Sequence, residues 1–205
     1  MTFAKMHEDI DVILDKHDIA WHEPEEKDIF LNFALNEYVK DRHTEFEVNE
    51  KRREDIRTLI SSATGSTSTV TLPSDFLFAL SLKGLFQVVS CGVPVNQEHF
   101  IRPFQHDDIN KVANDPFNKP TNTHPVYVST STGYDVRSDN APVSWSLTYL
   151  KIPLAIDGTN NPTVSSDLPD YTHEEIVNLA IRKILATLDK QQSYSLQTNE
   201  IQNQE

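Results

Sequence analysis

The sequence predicts an α+β fold, with a helical bundle part, a small antiparallel β-rich part and an extended C-terminal arm. Apolar residues recur at helical spacing in the first 60 residues and again after Tyr171. Between them, short alternating runs are separated by many turn signals, which is the pattern of antiparallel strands. The last fifteen residues, QQSYSLQTNEIQNQE, hold too little apolar content for a core of their own.

The chain has 205 residues, enough for one substantial domain or one domain with appendages. Its 31 acidic and 18 basic side chains give a formal net charge of −13, which excludes a basic coat for nucleic acid. No stretch approaches the roughly 18 apolar residues of a membrane span. The first residues, MTFAKMHEDIDVILDKHD, are acidic throughout and lack the apolar centre of a cleaved signal peptide. Cys91 has no second cysteine to pair with, which is compatible with a reducing compartment.

Element by element, Met6, Ile10, Ile13 and Leu14 predict a first helix. Pro24 marks the start of a second, with Glu25, Glu26 and Asp28 at the end where the helix dipole favours anions. Ile29, Phe30, Phe33, Ala34, Leu35 and Tyr38 give that helix a wide apolar face. NEKRREDIRTLI predicts a third helix laced with opposite charges, among them Arg53 and Arg57 with Glu50 and Glu54, and edged only by Ile56, Leu59 and Ile60. Lys51, Arg52, Arg53 and Arg57 are the one concentrated basic patch, and interruption by Glu50, Glu54 and Asp55 favours ion pairs over phosphate contacts.

Eight of the eleven residues from Ser61 to Thr71 are Ser or Thr, which predicts an extended hinge. TLPSDFLFALSLKG offers Pro73 near a helix start. LFQVVSC, Leu85 to Cys91, reads as a buried strand ended by Gly92 and Pro94. QHDDINKV predicts a short helix broken at Asp115–Pro116. PVYVSTS, YDVRS and VSWSLTYLKIPLAI alternate as strands, with the last two expected to pair. In the last of them Val143, Trp145, Leu147 and Tyr149 share an apolar face, and Pro153 limits the ladder. YTHEEIVNLAIRKILATLDK predicts a late helix, with Thr172 and Glu175 as a capping pair and Tyr171 against Ile176 as a staple. Its buried face is Val177, Ala180, Ile181, Ile184, Leu185 and Leu188. The expected division is therefore an acidic helical region over 1–60, a connection over 61–71, a mixed α+β core over 72–190 and a flexible arm over 191–205.

Signals for chemistry are weak. The eight histidines, at 7, 17, 22, 43, 99, 106, 124 and 173, are dispersed, and none lies in a short Cys/His pair or an HExxH motif. His106, Asp107, Asp108 and Asp115 could form a metal-binding or acid/base cluster, but acids at a helix start explain the same residues. DGTNNPT from Asp157 lacks the twelve-residue calcium-loop pattern and reads as a surface loop. Cys91 reads as a small buried strand residue. No GxSxG or GxxxxGK[ST] is present. Neither catalytic residues, nor a cofactor, nor a metal site is expected.

TLPSDFLFAL at Thr71 to Leu80, NDPFNKPTNTHPVYV at Asn114 to Val128, SLTYLKIPLAI at Ser146 to Ile156 and LPDYTHEEIVNLAIRKIL at Leu168 to Leu185 carry a family likeness. Together they resemble the small head-to-tail connector proteins of tailed bacteriophages, most of all the ring proteins in the neck of crAss-like phages. The resemblance spans residues 70 to 190 and includes no catalytic signature. It implies a structural virion protein that self-associates into a ring, commonly dodecameric. The ring would contact the portal on one side and another neck or tail component on the other, leaving a channel through which DNA passes without sequence-specific binding. It also implies that Asp115 to Pro120 shapes a loop of the β part and that Tyr149 to Pro153 ends a strand before a projecting loop. The residues after Lys190 would be a tail reaching a neighbour, in which Tyr194, Leu196 and Ile201 are the available apolar anchors. Assembly would take place in the host cytoplasm. Two other readings stay open, a soluble metal-dependent enzyme using residues 106–115 and a monomeric protein-binding module.

Overall fold

A computed structural model describes the backbone of residues 1–15, 23–90, 92–113, 115 and 117–202, with side chains to Thr187 except those of Ser90, Asn110 and Ala113. His17, His22, Cys91, Asn114 and Pro116 lie outside the described residues. The fold is α+β, with a helical portion and an antiparallel β-rich portion. The chain divides into two compact units. One is Met1–Leu59 together with Pro153–Glu205, and the other is Ile60–Ile152. The β-rich unit is thus an insertion in the helical one: its first boundary falls beside the end of the expected 1–60 region, while Pro153–Glu205 groups with the helical unit and not with the expected 72–190 core.

The helical unit is built from α1 (Phe3–Asp15), α2 (Pro24–Thr44), α3 (Glu50–Asp55) and α5 (His173–Gln202). The helix of the β-rich unit is α4 (His106–Ala113). Phe3, Met6, Ile10 and Leu14 form the buried stripe of α1 at three- and four-residue spacing. Pro24 begins α2, where its missing N–H costs nothing. Leu31, Ala34, Leu35, Tyr38 and Val39 of α2 meet Ile176, Val177, Ala180, Ile181 and Ile184 of α5 in the core. Asn49 caps α3 by accepting from the Lys51 and Arg52 backbone N–H groups.

Two details of this unit differ from expectation. Thr172 does not cap α5: its hydroxyl donates to the Pro169 carbonyl at 2.8 Å inside a 3₁₀ turn, while Glu175 is drawn away to Arg42. Tyr171 is 63% exposed while Ile176 is fully buried, so no staple holds the helix start. The backbone of the segment expected as an arm is helical through Gln202. The stretch contains no Gly or Pro to stop it. The side chains of Leu188, Lys190, Tyr194, Leu196 and Ile201 lie outside those described.

The β-rich unit contains β1 (Ile60–Gly65), β2 (Thr69–Thr71), β3 (Phe76–Ser90), β4 (Val93–Phe100), β5 (Arg102–Pro103), β6 (Val126–Ser129), β7 (Gly133–Arg137) and β8 (Ser144–Lys151). They form two four-stranded sheets, ordered β1-β8-β3-β4 and β2-β7-β6-β5, antiparallel except for the short β5–β6 pair. β1 leads into β2, and β4 into β5, so short connections link the two sheets at both margins. Trp145, Leu147 and Tyr149 point inward from β8 and pack with Val70, Leu82, Phe86, Ile101, Tyr134 and Val136.

Here the structure corrects three readings. The Ser/Thr-rich hinge is β1 and β2. Their hydroxyl side chains alternate along half-exposed strands, and β1 gains its order from six residue pairs with β8. TLPSDFLFALSLKG opens no helix; from Phe76 it is the first half of the 15-residue β3, paired with β8. YDVRS and VSWSL do not pair, because β7 lies between β2 and β6 while β8 lies between β1 and β3. In addition VPVN, counted as a turn, opens β4, with Pro94 tolerated on an edge strand.

Candidate functional site

The residues proposed for metal or acid/base chemistry are not gathered. His106, Asp107 and Asp108 open α4, where Asp108 pairs with Lys111 at 3.0 Å. Asp115 is used by its own turn. It accepts from the Phe117 N–H at 2.9 Å and the Asn118 amide at 2.6 Å, and these bonds lower its pKa below the usual carboxylate range. Asp157 is likewise occupied by Asn160 and Asn161 within the DGTNNPT loop. Among the described residues, no three His, Cys, Asp or Glu side chains are grouped to hold a metal ion. No helix among them is long and apolar enough to cross a membrane.

Two members of the basic patch, Arg52 and Arg57, are neutralised locally. Arg52 reaches Asp41 at 2.5 Å and Glu45 at 2.9 Å, Arg57 reaches Glu54 at 3.1 Å, and the Arg53 guanidinium lies 5.6 Å from the Phe46 ring centroid. Its ion pairs hold the α2–α3 corner together.

Two polar clusters that sequence reasoning did not find are structural in role. Arg42 of α2 is buried. It donates from Nε to Asp55 at 2.9 Å, from Nη1 to Asp41 at 3.0 Å, and from Nη2 to both oxygens of Glu175 at 2.7 Å, with its guanidinium over the Tyr38 ring. Burial disfavours its charge, but these partners outweigh that and raise its pKa, while burial pushes the Tyr38 phenol up to about 12. The second cluster centres on Asp28. It accepts from the Gly158 and Thr159 backbone N–H groups and the Thr159 hydroxyl, and pairs with His7 at 2.8 Å. Asn32 exchanges two bonds with the Ile156 backbone. Together they fasten the 156–159 loop to α1 and α2. A side chain at position 158 would press within 2.7 Å of the His7 ring, so the close approach requires glycine.

These groups give a pH dependence with a definite sign. Burial would raise the pKa of Asp28, but its hydrogen bonds from Thr159, Gly158 and His7 prevail and lower it. His173 is fully buried, its Nε2–H donating to the Leu168 carbonyl at 3.0 Å, and burial lowers its pKa. Both folded values lie below the unfolded ones, so both contributions are complete at neutral pH and fall on acidification. The His173 contribution begins to fade near pH 6.5, where the unfolded imidazole takes a proton that the folded one rejects, and that of Asp28 fades below about pH 4. The urea midpoint is expected to be lower at pH 5.5 than at pH 7.5, with the difference reduced in His173→Gln. Equal midpoints would contradict this assignment.

The exposed feature with no structural use is the far end of the β3–β4 hairpin. β8 stops pairing with β3 at Leu85, while β4 follows it to Ser90, so five residues of β3 run on as a two-stranded ribbon. Val89 is 72% exposed, Val93 59% and Val95 42%. Asn122 steadies the ribbon's base by donating to the Gln87 carbonyl at 2.8 Å. One sequence signal could have found it: residues 84–97 contain no charged side chain, in a chain that is 24% charged. An open groove of about 830 Å³ runs between α2 and α5 in the helical unit, lined by Phe30, Phe33 and Ala186 and otherwise by polar side chains, among them Glu37, Lys40, Asp41 and Lys183. Phe33 is 59% exposed and Ile29, one turn earlier, 53%.

Neither geometry supplies a nucleophile, an acid/base pair open to substrate, or a phosphate cradle among the described residues. What the hairpin end offers is exposed apolar surface. No protein-family model and no curated protein matches this chain.

Proposed function

We propose that this chain is a structural virion protein, a ring subunit in the neck of a tailed bacteriophage that joins the portal to tail components. Copies of it, twelve if they follow portal symmetry, surround a channel for DNA. The observation that carries this reading is the hairpin end. A ribbon that ends in water presents charge on its exposed edges and faces, as a guard against pairing with other chains. This one presents valines and no charge. Such a surface belongs in an interface, and its uncharged character lets copies of a strongly acidic chain meet where like charges do not oppose them. The net charge of −13 also suits a passage that DNA must traverse without adhering. The likeness in the segments between residues 70 and 190 supplies the type of assembly.

The test is native mass measurement of the full chain mixed with a purified portal ring of the same phage. The expected species carries many copies of the chain per portal. A monomer that ignores the portal would overturn the proposal.

A further inference from the structure

The two sheets of the β-rich unit treat their edges differently. An edge strand carries a row of unpaired N–H and C=O groups, and a very short edge is the simplest guard against another chain pairing there. The second sheet is guarded in this way, since its edges β2 and β5 have three and two residues. The first sheet is not: its edges are β1, with six residues, and β4, with eight. β1, ISSATG, has neither a charge nor a proline. β4 carries one acid, Glu98, which already pairs with Lys83 of the neighbouring strand at 3.4 Å. Among the described residues no further strand covers either edge.

Hydrogen bonds within the sheet fix which groups face outward. Successive residues of an antiparallel strand turn their N–H and C=O to alternate sides. The Leu82 carbonyl accepts from Ile101 on the β4 side, whereas the carbonyls of Leu85 and Gln87 accept from Val143 and the Asn122 amide on the side away from β4. Glu98 and Asn96 stand opposite Leu85 and Gln87, so their backbone groups turn away from β3 along the free edge, and Phe100 shares their parity. Pro94 shares it too, which is why its missing N–H costs the β3–β4 ladder nothing. Carried across β8, the same alternation turns Ile60, Ser62 and Thr64 of β1 outward on the opposite edge.

We propose that β4 of one copy pairs antiparallel with β1 of a second copy, so that the sheet continues from subunit to subunit. The inference rests on the ring reading and names its subunit contact. Strand direction alternates across β1, β8, β3 and β4, so a copy repeated by rotation brings its β1 beside β4 in the antiparallel sense without being turned over. One register fills both edges: Ile60 opposite Phe100, Ser62 opposite Glu98 and Thr64 opposite Asn96. It sets two exposed apolar side chains together, Ile60 at 37% and Phe100 at 64%, and gives Glu98 and Asn96 a hydroxyl each. No like charges meet, because β1 has none. The two edges differ, so the contact is head-to-tail and propagates until rotation closes the ring. β4 meeting itself is the less suitable arrangement. Centred on Glu98 it opposes two carboxylates, and centred on Asn96 or Gln97 it sets Pro94, which has no N–H to give, against Glu98 or Phe100.

Proline substitution and disulfide trapping test the contact on the full chain with the portal ring present. Asn96→Pro removes an outward N–H and no bond of the β3–β4 ladder, so the urea midpoint is expected to stay in place. Each subunit contact is expected to weaken about ten-fold, and native mass should show the multi-copy complex lost at concentrations where the wild type forms it. In a Cys91→Ser background, one preparation carries Thr64→Cys and another Asn96→Cys, both exposed positions. Mild oxidation of the mixture is expected to give a cross-linked pair several-fold above either preparation alone, and Ile60→Cys with Asn96→Cys, out of register, none above that background. Predominant Asn96→Cys self-pairing would overturn the proposal and indicate a symmetric β4 contact. If the ring forms on the portal but Asn96→Pro assembles as fully as the wild type, or no mixed disulfide forms, the edge pairing fails while the ring reading stands. If copies cross-link in register and ignore the portal, the edge pairing stands and the ring reading fails. If neither complex nor cross-link forms, both fail together.

Discussion

Replacing Arg42 with methionine is expected to cost about 3–5 kcal/mol of folding stability, confined to the helical unit. Arg42 satisfies carboxylates from three elements, Asp41 on its own helix, Asp55 on α3 and Glu175 on α5. Asp55 is 5% exposed, so without its partner it is left as a buried, unpaired charge, which is the costly half of breaking such a network. Asp41 and Glu175 are more than half exposed and recover hydration, so they add little. Lysine keeps the charge and loses the planar fork that serves these acids at once, so Arg42→Lys is expected to restore only part of the loss. Urea unfolding followed by far-ultraviolet circular dichroism measures the effect. Trp145, in the core of the other unit, supplies a separate fluorescence signal in a Trp21→Phe background, and its transition is expected to stay in place.

Gly133→Ala should damage the β-rich unit by about 3 kcal/mol. Gly133 begins β7 opposite Thr71 of β2, and a β-carbon there falls on the Val70 carbonyl oxygen. That oxygen is backbone and cannot rotate aside. Relief requires β2 to move away from β7, which opens the core at Val70, a residue with no exposure. Gly92→Ala provides the contrast. Its site has nothing within 4 Å, and only the left-handed backbone, φ +81°, opposes the new side chain, at a cost of about 1 kcal/mol. Trp145 fluorescence in urea separates the two substitutions. Equal losses would show that the β2–β7 approach is not the tight point described.

The parts of the fold legible in the sequence are those whose burial repeats with a local period. Phe3, Met6, Ile10 and Leu14 sit at helical spacing, and Trp145, Leu147 and Tyr149 alternate, so α1 and β8 could be located from their own residues. α4 follows from the acids at its start and the break after it. β1 and β2 have no such signal. Their serines and threonines are ordered by distant partners, β8 and β7, whose positions no local pattern gives. The second half of β3 was read as a strand, but its first half failed for the opposite reason: FLFALSL is apolar almost without interruption, and such a run is ambiguous between helix and strand until its neighbours are known. Arg42 and Asp28 were missed because each draws on residues more than a hundred positions away, Glu175 for one and Gly158 with Thr159 for the other. The exposed hairpin end was legible in part. The absence of charge from 84 to 97 stands in the sequence, but that those valines lie beyond the last pairing of β8 does not.

The most direct test of an assembly role compares native masses of the wild-type chain and a Val89→Asp/Val93→Asp variant, each mixed with the portal ring. Both substitutions lie on exposed positions of the ribbon, so circular dichroism and the urea midpoint should not move. If the hairpin end is an assembly surface, the wild-type chain forms a multi-copy complex with the portal and the variant remains monomeric. A variant that assembles as fully as the wild type, or a wild-type chain that stays monomeric beside the portal, would contradict it.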